Sequence, residues 1–176
     1  MIARFEPKRK RKFEKIAENR CTGAGNVVSY QRTIESLPVR QFEKGSFIML
    51  TVGIHGEQSQ LVTNENTAKT MGSGTLDVFA TPALVALAEK TCWMSVAPEL
   101  DEGCGSVGTK LELEHTAPPP VGMTVTCESE LVAVEGRKLT FKVSLHDEKG
   151  PVGGGTHERF VVNDAKFAAK AEAKKG

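Results

Sequence analysis

No stretch of the 176 residues approaches the roughly 18 consecutive apolar positions that a membrane-crossing helix needs, so no bilayer span is expected. No secretory leader is expected either: after the basic start, Phe13, Ile16 and Ala17 are interrupted by Glu14, Lys15 and Glu18, whereas a leader keeps an unbroken apolar stretch there. The expected location is the cytoplasm. The four cysteines, Cys21, Cys92, Cys104 and Cys127, lack the close paired spacing of zinc or redox motifs. They read as reduced structural thiols, and no metal is expected.

Charge of one sign is lacking overall: 23 Lys and Arg stand against 22 Asp and Glu, a net charge of +1. That balance selects no partner by itself. It hides one asymmetry, the run Lys8, Arg9, Lys10, Arg11, Lys12. Clustered cations gain affinity for phosphates by releasing counterions, but the run contains no Phe, Tyr or Trp on which bases could stack. A solvated extension is the favoured reading, and nucleic acid is not an expected partner.

What is present is the composition of a soluble globular protein, 39% hydrophobic and 26% charged residues. The length suffices for one domain whose core needs neither disulfides nor metal. Residues 1–48 are polar and broken by Pro7, Gly23, Gly25 and Pro38, which predicts a basic, poorly ordered extension. A folded domain is expected over 49–167, starting near Met49, and a flexible tail over 168–176.

Within that domain, Gln58–Thr63 reads as a strand, followed by a helical turn capped by Thr63 or Asn64 and running to Met71. Thr81 reads as the cap of a longer helix with Pro82 at its first position. The run Ala83–Ala88 is apolar on every side, so this helix, extending to about Val96, is expected to be enclosed. Four strands follow: 106–115, 123–134, 138–146 and 152–162. In the first, Val107, Thr109, Leu111 and Leu113 alternate with polar or small residues at the period of two. Glu135-Gly136 and Lys149-Gly150 are hairpin signals. One buried helix followed by antiparallel strands predicts an α+β domain in which a curved sheet embraces the helix, the hotdog fold.

Glu89 sits on that helix immediately after the apolar run. A carboxylate removed from water becomes a better base or nucleophile near neutral pH. The alternative is that Glu89, beside Lys90, marks where the helix meets solvent. His115 ends a strand just before Pro118, Pro119 and Pro120, which stiffen its exit; it is either structural or catalytic. The Thr81 hydroxyl is explained by capping, and equally by contact with a substrate. Eight residues separate Thr81 from Glu89, roughly 12 Å along a helix, so a third group must join them. In the last strand His157 and Arg159 share a face, and Arg159 could hold a phosphate or carboxylate. The preceding Gly153-Gly154-Gly155 lacks the strand-to-helix setting of a nucleotide-binding loop, and no cofactor is expected.

The blocks NTAKTMGSG, VFATPALVALAEK, VGTKLELEHTAPPPVGMTV, VEGRKLTFKVSLHDEKG and GGGTHERFVV, in that order over about residues 50–167, resemble the hotdog thioesterases that include the fluoroacetyl-CoA-specific enzymes. The resemblance implies an acyl-CoA thioesterase acting on small or medium acyl groups, a homodimer or dimer of dimers, and sites near the subunit interface. It also implies a catalytic set, which falls on Thr81, Glu89 and His115. Gly108 and Arg159 look like the positions lining the acyl and thioester pocket. TMGSGTLDVFAT is unlike the Phe-bearing lid of the fluoroacetyl specialists, so fluoroacetyl-CoA is not the expected substrate. Other outcomes left open are a non-hydrolytic acyl-CoA-binding protein, a nucleic-acid-associated protein and a hotdog dehydratase.

Overall fold

A computed structural model describes residues 50–176. The basic run 8–12, the 1–48 extension, Cys21 and the expected start at Met49 lie outside the described residues. Strand β1 (His55–Leu61) precedes helix α1 (Thr81–Val96). After it come β2 (Cys104–His115), β3 (Thr124–Glu135), β4 (Lys138–His146), β5 (Pro151–Asn163) and a C-terminal helix α2 (Asp164–Glu172). The five strands form one antiparallel sheet in the order β1-β3-β4-β5-β2. Helix α1 touches all five, which is the expected hotdog arrangement.

Alternation places Val125, Cys127 and Leu131 of β3 and Leu139, Phe141 and Val143 of β4 on the inner face. They pack against Leu84, Leu87, Cys92 and Val96 of α1. Each such side chain contributes about 1.5–3 kcal/mol by leaving water. Ala80, Ala83 and Ala88 are buried on the same side of the helix, and their small size brings its backbone close to the sheet. Cys92, Cys104 and Cys127 are free thiols.

The helix differs from expectation in two ways. Its N-cap is Ala80, which has no capping side chain, and Thr81 is already the first helical residue. Nor is it enclosed on all sides, because a single sheet covers one flank only. Thr81, Pro82 and Ala86 are exposed, and Trp93 is 43% exposed. The helical turn expected to reach Met71 is confined to a 3-10 turn, Asn64–Asn66, capped by Thr63.

Residues 67–79 form a flap whose base is closed by the bridge Thr67–Phe79 and by Val78 pairing with Pro120. The Phe79 N–H donates to the Pro119 carbonyl. The start of α1 is thereby tied to the proline exit of β2. In β5, Gly153 and Gly155 run so close to β2 that an added Cβ would strike the carbonyl oxygens of Glu114 and Glu112 respectively. Only glycine permits that approach, and Gly155 also adopts φ +154°.

Candidate active site

Two polar clusters lie along α1, two helical turns apart. At its N-terminal end, the Thr81 hydroxyl is freed from capping by the position of Ala80 and points across to β2, where Oγ1 lies 3.0 Å from His115 Nδ1. The His115 ring is held by Phe79, which meets it edge-on with centroids 6.2 Å apart. Its other nitrogen, Nε2, is buried and without a hydrogen-bond partner among the described residues. Burial pushes the His115 imidazole below the ordinary histidine range, so its neutral form is favoured. Beyond it, the Thr116 and Ala117 N–H groups both donate to the Val152 carbonyl, fixing the strand end.

Further along the helix, Glu89 faces Gly108 of β2 and His157 and Arg159 of β5. Its side chain is 41% exposed in the single chain, so the expected burial is corrected: the sheet passes beneath the carboxylate and leaves its outer side uncovered. Glu89 Oε1 lies 3.6 Å from an Arg159 guanidinium nitrogen and 3.7 Å from His157 Nε2. Neither distance is a hydrogen bond, and the attraction comes from the Arg159 charge. A Cβ on Gly108 would collide with Glu89 Oε1 and come within 3.1 Å of the His157 ring. Glycine at 108 is what lets the carboxylate reach the strand.

Arg159 is 5% exposed. Its Nε donates to Ser106 Oγ at 2.9 Å and its NH2 group to the Ser106 carbonyl at 2.6 Å. Its NH1 group lies 3.0 Å from His157 Nε2. His157 Nδ1 lies 2.9 Å from the Lys110 carbonyl. A carbonyl only accepts and a guanidinium only donates. His157 is therefore neutral, with its proton on Nδ1 and its Nε2 accepting from Arg159. Burial is the main cause holding this imidazole below the ordinary range; the Lys110 carbonyl and Glu89 oppose the shift, and Arg159 adds to it.

A cavity of about 230 Å³ opens beside Glu89, lined by Val85, Gly108, Thr109, Lys110, Leu111 and His157. Among the described residues no cluster of His, Cys, Asp or Glu could hold a metal ion, and no helix is long and apolar enough to cross a membrane.

The structure thus joins Thr81 to His115, and Glu89 to Gly108 and Arg159, but does not bring Glu89 to Thr81 or His115 within one chain. His157 and Ser106 are the neighbours that sequence reasoning left without a role. The alternation of His157 with Arg159 hinted at the first. Ser106 becomes visible only through the β2–β5 register, which sets it opposite Val161 and one position from Val107, the partner of Phe160.

Residues 62–165 match the family described as fluoroacetyl-CoA-specific thioesterase. The fluoroacetyl-CoA thioesterase of Streptantibioticus cattleyicolor is 48% identical over 98 residues, 56% of this chain and 70% of that protein. A solved fluoroacetyl-CoA thioesterase superposes with a TM-score of 0.68 at 39% identity, over 71% of this chain and 97% of the other. A Thermus thermophilus thioesterase superfamily member gives 0.64 at 28% identity, over 70% and 91%. The chain belongs to the fluoroacetyl-CoA-specific thioesterase family.

Proposed function

We propose that this protein hydrolyses small or medium acyl-CoA thioesters to the free acid and CoA, using Thr81, Glu89 and His115 with Gly108 and Arg159 lining the pocket. The observation that carries the reading is the Thr81–His115 hydrogen bond, formed by a hydroxyl that the helix does not use as a cap. Leaving His115 Nε2 buried and unpartnered costs about 1–3 kcal/mol. A reacting group that accepts or supplies a proton there would recover that cost.

Glu89 is roughly 12 Å along the helix from Thr81, and a second copy of the chain supplies the missing proximity. Among the described residues strand β2 is an edge, paired on one side with β5, so its other side can pair with the same strand of a second copy about a two-fold axis. A two-fold axis near Leu111 and Glu112 brings the stretch around Gly108 alongside the stretch around His115 of the partner subunit. Each Glu89 would then face a Thr81–His115 pair from the other chain. The exposed helix flank bearing Ala86 and Trp93 is consistent with such a cover. This homodimer is the assembly we infer.

In the reaction, Glu89 activates a water or attacks the thioester carbonyl itself, the latter leaving an anhydride that water then cleaves. The oxyanion is met by the Thr81 hydroxyl and by N–H groups of the first helical turn, which have no acceptor within the helix. With the Nδ1 proton donated to Thr81 Oγ1, the Thr81 hydroxyl keeps its own proton for the oxyanion, and His115 Nε2 is left to take up a proton released by the water and pass it to the departing CoA thiolate.

Free-thiol release should be measured across short, branched and aromatic acyl-CoAs, with Glu89→Gln in parallel. Turnover in the parent and its loss in the variant are expected. Binding of acyl-CoAs without thiol release would replace this reading by a non-hydrolytic one.

A further inference from the structure

We propose that His157 is a positioning residue: by accepting a hydrogen bond from Arg159, it fixes the guanidinium over Glu89 and so sets where the carboxylate stands. The inference deepens the thioesterase reading and rests on Glu89 acting there.

Three observations support it. First, each nitrogen of the Arg159 guanidinium has a hydrogen-bond partner in Ser106 or His157 at 2.6–3.0 Å, three of its five N–H donors, while Glu89 stays 3.6 Å away. The guanidinium therefore supplies charge to Glu89 without a hydrogen bond that would tie up the carboxylate oxygen. Second, His157 cannot be replaced in this role by packing alone. Its two nitrogens have fixed and opposite duties, Nδ1 donating to the Lys110 carbonyl and Nε2 accepting from Arg159. Third, the ring is 1% exposed and sits between Leu111 of β2 and Phe141 of β4 in the sheet register. It therefore cannot turn aside without breaking both bonds.

A chain of this kind transmits position from the sheet backbone to the reacting group. The Lys110 carbonyl orients His157, His157 and Ser106 orient Arg159, and the Arg159 charge draws Glu89 into the space that Gly108 leaves open. Displacing a reacting group by about 1 Å costs on the order of 100-fold in rate.

The test compares His157→Phe with His157→Gln. Phe keeps a ring of similar size and removes the acceptor; Gln loses the ring and retains an acceptor for Arg159. We expect the Phe variant to lose about 100-fold in kcat with little change in KM, and the Gln variant to retain clearly more kcat than Phe. Equal or better activity in Phe would mean that His157 only fills space, and would overturn the proposal. An independent measurement needs neither turnover nor a variant: nitrogen NMR of the parent's histidines should find His157 neutral with its proton on Nδ1. A proton on Nε2 would overturn the proposal even if hydrolysis is confirmed. Absence of thiol release in the parent would remove the thioesterase reading while leaving the NMR result to decide the positioning geometry.

Discussion

Thr81 and His115 lie 34 residues apart in the chain and 3.0 Å apart in the fold. What brings them together is a pair of backbone ties, Phe79 to Pro119 and Val78 to Pro120, which pin the start of α1 to the end of β2. The hydroxyl and the imidazole are thus positioned by backbone hydrogen bonds, with Phe79 packed against the ring.

Because Thr81 does not cap the helix, Thr81→Ala separates activity from stability. An N-cap threonine lost to alanine costs about 1 kcal/mol; here the unfolding free energy should change by less than about 0.5 kcal/mol. Thiol release should fall on the order of 100-fold, as for other single oxyanion donors. Urea titration and initial rates on the same sample check both.

Gly108→Ala puts a methyl group against Glu89 Oε1 and the His157 ring. Glu89 is the part able to move, being open to solvent on its outer side, so the expected result is a folded protein with kcat reduced by about 100-fold. Rates together with a melting curve distinguish this from a variant that has simply unfolded.

Stability should decline on acidification through the histidines. Burial holds both His115 and His157 below the unfolded value of about 6.5, so below that pH the unfolded chain binds protons that the folded one does not. By linkage, stability is then lost as pH falls from about 6.5 towards the folded-state values, and no such loss arises above about pH 7. Urea midpoints at a series of pH values should show this slope, and His157→Gln should make it shallower.

The core thiols should be inert. Burial pushes Cys92 up to about 12 and Cys127 to about 11, and thiolate is the reactive form. Brief alkylation at pH 8 followed by peptide mass spectrometry should leave both unmodified in the native protein and label both in denaturant.

Much of the fold was legible because β4 and the second half of β2 alternate between apolar and polar residues, and because β3, β4 and β5 are joined by short turns at Gly136 and Gly150. The β1 strand was harder: HGEQSQL has no apolar period, and its start at His55 rather than Gln58 follows from pairing with β3. The cap at Ala80 was hidden because alanine carries no capping group. At the site, residue types pointed to Thr81, Glu89 and His115, but not to how they group. Grouping depends on register: Gly108 meets Arg159 as its β5 partner, and a register shift follows between Gly108 and Lys110. The exposure of Glu89 was misjudged for a related reason. An all-apolar run says that a helix must be covered, and does not say whether its own chain provides the cover.

The glycine stretch of β5 carries a warning for any mutational scan of this protein. Gly153 and Gly155 have no side chain to touch a substrate, yet a substituent on either would push β5 away from β2 a few residues before His157 and Arg159. Ranked by lost activity alone, these silent positions would be scored beside the residues that meet the thioester. A map of function drawn without a parallel map of folding would therefore mistake the footing of the site for the site itself.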